Sequence, residues 1–219
     1  MDTDSDIGRI KTGSLYPPSY FRRADPTDDA LFYLGPRKVV HIDDEAIAAL
    51  GSIYAELLPR TGTLLDLMSS WRTHLPDELA GSPELSVVGL GLNAEEMADN
   101  PQLARYVIHD LNGEPSLPFP EETFDGAMCA VSVQYLTRPV AVFADVARVL
   151  EPGAPFIVSF SNRCFPTKAV AIWHSTDDEQ HVQLVGSYFR LSGGWDEPRG
   201  RIWRPAGGDP LYAVWANRL

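Results

Sequence analysis

Polar side chains follow apolar runs at four places in the chain, and their types suit the binding of a small organic ligand. The first place is TLLDLMSSWRTHLP at 63–76, where Leu64-Leu65 leads into Asp66 and a turn of small polar residues. Ligands of open α/β folds bind where buried parallel strands end. The candidate binding residues at the four places are Asp66, Met68, Ser69, Ser70, Gly91, Leu92, Asn93, Asp110, Leu111 and Ser132.

Residues near the same strand ends could also exchange protons with a substrate. His74, His109 and Tyr135 are the main candidates for a general base, and Tyr20 and Cys164 are further ones. A lone histidine is more often structural, so each of these residues could instead only position a substrate. No second cysteine or suitably spaced histidine accompanies Cys164, and no metal site is predicted.

Apolar runs alternate with helical patterns, and this alternation predicts how the polar residues are positioned. Strands are predicted at 64–67, 85–90, 105–109, 126–133 and 156–160, and helices at 43–58, 74–79, 94–98, 140–150, 165–173 and 177–185. An antiparallel pair is predicted at 187–195 and 211–218. The pattern indicates an α/β fold with a doubly wound, mostly parallel sheet, because parallel strands need right-handed crossovers. The polar loop ends then meet at one edge.

An aromatic and basic segment, 15–40, precedes the alternating pattern and is stiffened by four prolines. One interpretation is an arm that covers one end of the sheet. The other is a lid over a substrate, with its arginines meeting a carboxylate or phosphate. We therefore divide the chain into an N-terminal arm or lid, 1–42, and an α/β domain, 43–219.

Composition excludes several classes of protein. A net charge of −12 over 219 residues disfavours duplex nucleic acid and anionic membranes as partners, so a small molecule is expected. No apolar run approaches the roughly 18 residues of a membrane span, and no secretory segment is recognised. Two cysteines imply no disulfide framework, and a cytoplasmic location is expected. The motifs of NTPases, dinucleotide-binding dehydrogenases and serine hydrolases are not found.

Two motifs in the second half of the chain resemble the class I S-adenosylmethionine-dependent methyltransferases, in particular the small-molecule branch. That family has a Leu-Pro-Phe turn before a Phe-Asp strand start, here Leu117-Pro118-Phe119 and Phe124-Asp125. It also has Arg-Val-Leu-x-Pro-Gly between a helix and the next strand, here 148–153. The resemblance covers roughly 64–160 and implies a Rossmann-like methyltransferase fold. Neither motif performs chemistry, so both support the fold more than the activity.

The resemblance implies S-adenosylmethionine as the cofactor, although the family's first cofactor-binding motif is altered in this chain. Leu64-Leu65-Asp66-Leu67 matches the first strand and its acid, but Met68, Ser70 and Arg72 stand where the family has glycines. Glycine allows a positive φ and a close backbone approach, and Met68 is expected to supply neither. The hydroxyls of Ser69 and Ser70 could reshape this approach.

The later cofactor positions match in part. Gly91 stands where the family has an acid that holds the ribose, and nearby Asn93 could either replace that acid or cap a helix. Asp110 matches the acid that contacts the adenine amine. Ser132 and Gln134 lie where the family lines the sulfonium centre.

The implied activity is transfer of a methyl group from S-adenosylmethionine to an oxygen, nitrogen or sulfur atom of a small metabolite. Alignment can supply most of this catalysis, and a base is needed only where the nucleophile must lose a proton. The alternative is a non-catalytic methyltransferase-like protein that binds a ligand or partner. The candidate substrate-binding residues are Tyr20, Arg22, Trp71, Arg72, Gln134, Asn162 and Arg163.

Overall fold

A seven-stranded sheet forms the centre of the computed structural model, which describes residues 16–219. Its strands are β1 (Gly62–Leu67), β2 (Leu85–Gly91), β3 (Arg105–Ile108), β4 (Gly126–Ala130), β5 (Pro155–Phe160), β6 (Arg199–Trp203) and β7 (Leu211–Asn217). The order across the sheet is β3-β2-β1-β4-β5-β7-β6. Strands β1 to β5 are parallel, and β7 runs antiparallel to both β5 and β6. The predicted mostly parallel sheet is confirmed.

Helices cover both faces of this sheet. They are α1 (Asp29–Phe32), α2 (Asp44–Leu57), α3 (Asp77–Ala80), α4 (Ala94–Ala98), α5 (Pro139–Val149), α6 (Ala171–His174) and α7 (Asp178–Ser192), with 3₁₀ turns at Pro18–Phe21 and Val133–Tyr135. Between residues 16 and 219, no helix combines the length and the apolar character that crossing a membrane requires.

Alternating side chains of the central strands separate the core into two layers. Leu65 of β1 faces one layer, which is filled by residues of α5 and α7 such as Phe143 and Phe189. Leu64 faces the other layer, which includes Tyr54 of α2. Packing on both faces of β1 fixes the position of its carboxyl end. The polar side chains of the loop that follows are therefore carried by a fixed support.

Side-chain caps start the helices close to where the sequence predicts them. Asp43 accepts a hydrogen bond from the backbone of Ala46 at 2.8 Å, and Asn93 accepts one from Glu96 at 2.9 Å. These contacts satisfy backbone N–H groups that have no partner within the helix. The predicted helix at 94–98 is confirmed, and α2 lies within the predicted 43–58.

The predicted strand at 187–195 is wrong. Residues 187–192 complete α7, whose buried Leu184, Val185, Tyr188 and Phe189 follow helical spacing. Gly193, with φ of 71°, ends that helix. The strand that pairs with the outer side of β7 is instead β6. It is mostly exposed and lacks the apolar alternation that would have predicted a strand.

Three predicted elements are shorter than expected. The strand at 126–133 ends at Ala130, because Val131 turns out of the sheet with φ of 44°. The helix at 165–173 is reduced to α6, and 165–170 follow an irregular path. The helix at 74–79 begins only at Asp77, after His74 with φ of 63° and Pro76. Buried apolar residues continue through these turns, which is why the sequence pattern extended the elements.

The described part of the arm runs from α7 to the carboxyl edge of the sheet. Tyr16 is hydrogen-bonded through its hydroxyl to Ser187 of α7 at 2.6 Å, and a backbone bridge joins Arg23 to Val170. Further along, Asp29 accepts two hydrogen bonds from the Arg23 guanidinium at 2.8 and 2.7 Å. Residues 1–15 of the predicted arm lie outside the described residues, and the boundary at 42 stays a prediction.

A buried ammonium group fastens the arm to the segment after β5. The side chain of Lys168 is fully buried, donates to the carbonyl of Thr27 at 2.8 Å and pairs with Asp29 at 3.1 Å. Burial works to raise the pKa of Asp29, but the hydrogen bonds from Arg23 and Asn112 outweigh it and the pKa is lowered. The arm therefore reaches the sheet edge along a fixed path.

Candidate ligand-binding pocket

The carboxyl ends of β1, β2, β3 and β4 and residues 29–41 of the arm enclose a pocket. All ten candidate binding residues from the strand ends line it: Asp66, Met68, Ser69, Ser70, Gly91, Leu92, Asn93, Asp110, Leu111 and Ser132. The candidate bases His74, His109 and Tyr135 also line it, together with Trp71 and Arg72. The structure thus brings these side chains to one place, as parallel strands require.

The turn after β1 is built around the carboxylate of Asp66. Asp66 is buried, and its Oδ2 accepts hydrogen bonds from the hydroxyls of Ser69 at 2.6 Å and Thr73 at 2.8 Å. Asn100 in turn donates to the Thr73 hydroxyl at 3.0 Å and to the carbonyl of Ser70 at 2.9 Å. Burial raises the pKa of Asp66 to about 6, against the lowering effect of the two hydroxyl donors. The buried carboxylate therefore holds the turn in place through its hydrogen bonds with Ser69 and Thr73.

Met68 adopts the backbone conformation that glycine usually provides. Its φ is 59°, in the left-handed region, although the sequence led us to expect that Met68 would not supply a positive φ. That conformation costs a residue with a Cβ atom roughly 1–2 kcal/mol. The side chain of Met68 packs against the apolar layer beneath the turn. The turn thus retains the backbone conformation that glycine normally permits.

Close packing of this turn explains why Gly91 carries no acidic side chain. The backbone N–H of Ser69 donates to the carbonyl of Leu90 at 2.8 Å, which draws the turn onto the end of β2. A Cβ atom at Gly91 would lie 2.3 Å from the carbonyl oxygen of Ser69. Any side chain at position 91 would therefore collide with the turn.

A buried acid one turn into α4 lines the wall beside Gly91. Glu96 accepts a hydrogen bond from the hydroxyl of Ser70 at 2.5 Å and another from the backbone N–H of Arg37 at 2.6 Å. It joins the turn after β1 to the arm. Sequence reasoning missed Glu96, because an acid three residues after a helix cap is usually explained by capping alone.

The strand-end residues Asn93 and Asp110 also have local structural contacts. Asn93 caps α4, and its amide nitrogen donates to the carbonyl of Tyr33 in the arm at 2.8 Å. Asp110 accepts a hydrogen bond from the backbone N–H of Asn112 at 2.9 Å. Asn93 thus uses both ends of its amide within the protein, whereas Asp110 keeps acceptor capacity on the pocket side.

The three candidate bases differ in what they can do. Burial lowers the pKa of His74 to about 4, so its imidazole is neutral at physiological pH. His109 bonds through Nε2 to the carbonyl of Glu114 at 2.8 Å, which requires a proton on that nitrogen. The hydroxyl of Tyr135 accepts from the backbone N–H of Phe165 at 2.8 Å, and burial raises its pKa to about 12. The hydroxyl of Tyr135 therefore keeps its proton at neutral pH and can donate it in a hydrogen bond.

Aromatic and basic residues of the arm close the pocket on the side of β4 and β5. Phe165 is stacked on Tyr135 with ring centres 6.0 Å apart and meets the edge of His41 at 5.2 Å. The Arg37 guanidinium lies 3.9 Å from the centre of the Phe32 ring. Sequence analysis identified the arm as aromatic and basic but did not single out Arg37, His41 or Phe165. Which arm residues reach the pocket depends on an irregular path that no periodic pattern reveals.

Five predicted substrate-binding residues lie outside the lining of this pocket. Tyr20 and Arg22 are exposed on the early part of the arm, and Asn162 is exposed after β5. Arg163 pairs with Asp209 at 2.8 Å. Gln134 is buried and donates to the carbonyl of Val131 at 2.8 Å. Arg163 and Gln134 thus satisfy interactions of the fold, and none of the five residues lines the pocket.

Part of the chain is similar in sequence to known methyltransferase domains. Residues 77–158 match a family model described as a methyltransferase domain. A curated relative, the biotin biosynthesis bifunctional protein BioHC of Teredinibacter turnerae, is 29% identical over 89 residues. This match covers 41% of the chain and 16% of the relative, so the chain spans only a small part of that protein.

Solved structures share the fold at low sequence identity. An S-adenosylmethionine-dependent methyltransferase from Archaeoglobus fulgidus aligns with a TM-score of 0.60 and 12% identity, covering 80% of this chain and 95% of that one. A structure named the [4+2]-cyclase SpnF aligns with a TM-score of 0.57 and 14% identity, covering 87% and 90%. The expected Rossmann-like methyltransferase fold is confirmed.

Proposed function

We propose that this protein, which has the class I methyltransferase fold and a methyltransferase-domain match over 77–158, transfers a methyl group from S-adenosylmethionine to a small molecule. The observation that carries the proposal is the φ of 59° at Met68. It supports the proposal because Met68 adopts the left-handed conformation that a glycine at this place in the turn would allow. The oxygen, nitrogen or sulfur atom that accepts the methyl group belongs to a substrate small enough for an enclosed pocket.

The acidic lining of the pocket fits this cofactor. Asp66, Glu96 and Asp110 all lie in the wall formed by β1, β2 and β3 and the loops that follow them. A sulfonium cation with an ammonium group is attracted to such a site. When bound, S-adenosylmethionine supplies a methyl group already activated by positive sulfur, so that alignment of the acceptor contributes most of the catalysis.

Four residues that line the pocket have proposed roles in binding the cofactor. Asp110, at the end of β3, has free acceptor capacity and binds the adenine amine, as in the family that the chain resembles. Leu92 and Leu111 provide apolar surface on either side. Glu96 stands in for the acid that Gly91 cannot carry and accepts hydrogen bonds from the ribose hydroxyls. A substitution at Asp110 tests the first of these assignments.

The arm supports a small-molecule acceptor. Tyr33, Arg37 and His41 line the pocket opposite the strand ends, and the Trp71 indole donates to the carbonyl of Val39 at 3.1 Å. Such a cover over the strand ends favours a compact acceptor over a macromolecule. We assign Tyr135 the role of orienting the acceptor as a hydrogen-bond donor. We assign His74 or His41, whose pKa values are both lowered by burial, the role of taking a proton where the nucleophile must lose one.

Calorimetric titration with S-adenosylmethionine and its demethylated product, S-adenosylhomocysteine, tests the proposal directly. We expect both to bind. If neither binds at millimolar concentration, the protein is not a methyltransferase of this kind, and a non-catalytic role becomes the better explanation.

A substitution at Asp110 tests the proposed placement of the cofactor. Asp110→Ala should weaken binding of S-adenosylhomocysteine by about tenfold or more, because a hydrogen bond to a charged group is removed. The matched control is Glu84→Ala, which removes an exposed acid just before β2, at the opposite edge of the sheet. Circular dichroism should show both variants folded, and equal affinity in the two variants would remove Asp110 from the cofactor site.

A further inference from the structure

We propose that Arg37 is the anion-binding residue for the methyl acceptor, and that the acceptor carries a carboxylate or phosphate group. This inference rests on the proposed methyltransferase function, because it assigns the substrate class of the same pocket. It begins from a buried donor atom. Nη1 of Arg37 is excluded from solvent and has no hydrogen-bond partner among the described residues.

The guanidinium of Arg37 is not neutralised by the protein. Within residues 16–219 it forms no salt bridge, although the chain carries 30 acidic residues against 18 basic ones. The neighbouring buried cations Arg23 and Lys168 are both paired with Asp29. A half-buried guanidinium that has no anionic partner in the protein is stabilised when a ligand supplies one.

Arg37 is also held in place before any ligand arrives. Its guanidinium carbon lies 3.9 Å from the ring centre of Phe32 and 5.5 Å from that of Phe165. Its backbone N–H donates to Glu96 at 2.6 Å, and the next residue, Lys38, pairs with Asp99. Stacking fixes the plane of the guanidinium, which presents parallel N–H donors that match the oxygens of a carboxylate or phosphate.

The surroundings of Arg37 place the anion on the acceptor and not on the cofactor. The aromatic rings nearest the guanidinium belong to the arm and to Phe165, which follows β5. The acidic strand ends proposed to hold the cofactor lie at β1, β2 and β3. Tyr33, Tyr135 and Phe165 add flat apolar walls beside Arg37. The acceptor that fits this part of the pocket is a molecule with an anionic group attached to a flat apolar ring or chain.

The experiment compares two neighbouring substitutions with the same change of charge. Arg37→Met removes the proposed anion contact and keeps the backbone N–H that binds Glu96. Lys38→Met, the matched control, removes a cation whose side chain pairs with Asp99 outside the pocket. Benzoate and phenyl phosphate serve as anionic probes and benzamide as their neutral counterpart, each titrated by NMR without any cofactor.

We expect the unsubstituted protein and Lys38→Met to bind benzoate or phenyl phosphate at least about tenfold more tightly than benzamide. Arg37→Met should lose this preference while circular dichroism shows it folded, and Arg37→Gln should behave in the same way. If the unsubstituted protein shows no preference for either anion, or Arg37→Met retains the preference, the proposal is wrong.

A second titration separates the two possible sources of the anion. S-adenosylhomocysteine has a carboxylate, and 5′-methylthioadenosine lacks the amino-acid part that carries it. If Arg37→Met weakens S-adenosylhomocysteine tenfold but leaves 5′-methylthioadenosine unchanged, Arg37 binds the cofactor and our assignment to the acceptor is overturned. If the unsubstituted protein binds neither nucleoside, the methyltransferase proposal fails, while the benzoate titrations still decide whether Arg37 binds anions.

Discussion

Replacing Asp66 by asparagine should stabilise the protein at neutral pH. Asp66 is only 3% exposed and is hydrogen-bonded by two hydroxyl groups, those of Ser69 and Thr73. No cation offsets the loss of hydration, so burial raises the pKa of Asp66 from 3.8 to about 6. Folding at neutral pH therefore has to bury an ionised carboxylate, and the asparagine variant does not.

The size and sign of the effect follow from the two pKa values of Asp66. A difference of about 2 pH units corresponds to about 3 kcal/mol. Between the unfolded value of 3.8 and the folded value of about 6, the folded protein binds more protons than the unfolded chain. The free energy of unfolding therefore falls as the pH rises through this window. Below it the carboxyl is neutral in both states and costs nothing.

Urea denaturation of both proteins between about pH 4 and about pH 7.5 measures this difference. We expect Asp66→Asn to be more stable than the unsubstituted protein by about 1–3 kcal/mol at the upper end, with little difference at the lower end. The lower bound allows for an imperfect hydrogen bond from Ser69 or Thr73 to the asparagine. The reasoning is refuted if the variant is less stable at neutral pH or if the difference does not change with pH.

A surface acid provides a control of opposite sign. Glu56 accepts two hydrogen bonds from Arg201 at 2.7 and 2.8 Å, and these lower its pKa. Its contribution to stability is present above its unfolded pKa and is lost as the pH falls. Glu56→Gln should therefore lose a little stability toward higher pH, where Asp66→Asn gains it.

Three further predictions concern the turn and the arm. Met68→Gly should be more stable than Met68→Ala by about 1 kcal/mol in denaturant titrations, because φ of 59° favours glycine; the reverse order would contradict the assigned backbone. Gly91→Ala should destabilise the fold by at least about 2 kcal/mol and weaken S-adenosylhomocysteine binding. The reason is that the new Cβ atom would lie 2.3 Å from the carbonyl oxygen of Ser69. Unchanged stability and affinity of the variant would refute this prediction. Lys168→Met should lower the free energy of unfolding by about 3 kcal/mol, because Asp29 is left incompletely paired. A loss well below about 1 kcal/mol would show that Arg23 alone is enough to pair with the Asp29 carboxylate.

The sequence predicts the sheet well because its central strands are buried on both faces. β1 and β5 contain runs of apolar residues bounded by turn residues, and β2 ends in the predicted Gly91-Leu92-Asn93 turn. Polar residues at the carboxyl ends of parallel strands meet at one edge of the sheet. Asp66, near the end of β1, and Asp110, after β3, could therefore be placed from the sequence alone. The error at 187–195 arose because Tyr188 and Phe189 favour a strand locally, whereas packing on the sheet makes them part of α7.

The arm side of the pocket could not be predicted in the same way. Arg37 and His41 are brought to the pocket by a path fixed by the buried Lys168 and by Asn93, whose partners lie far away in the chain. Glu96 lies in a helix whose capping pattern already explains an acid. Interactions between distant segments leave no periodic signal. The sequence therefore indicates the arginines of the arm as anion contacts only as a group, and Arg163, another candidate substrate-binding residue, pairs with Asp209.

Strained backbone conformations are concentrated at the pocket. Four residues other than glycine have a positive φ in the described chain, and three of them, Met68, His74 and Val131, line the pocket. Such conformations cost roughly 1–3 kcal/mol each, and a β-branched residue such as Val131 is strained most. The buried carboxylate of Asp66 and the unpartnered donor of Arg37 add to this cost at the same place. Selection for stability alone would remove these features, so their convergence on one sheet edge is best explained by a ligand that needs them.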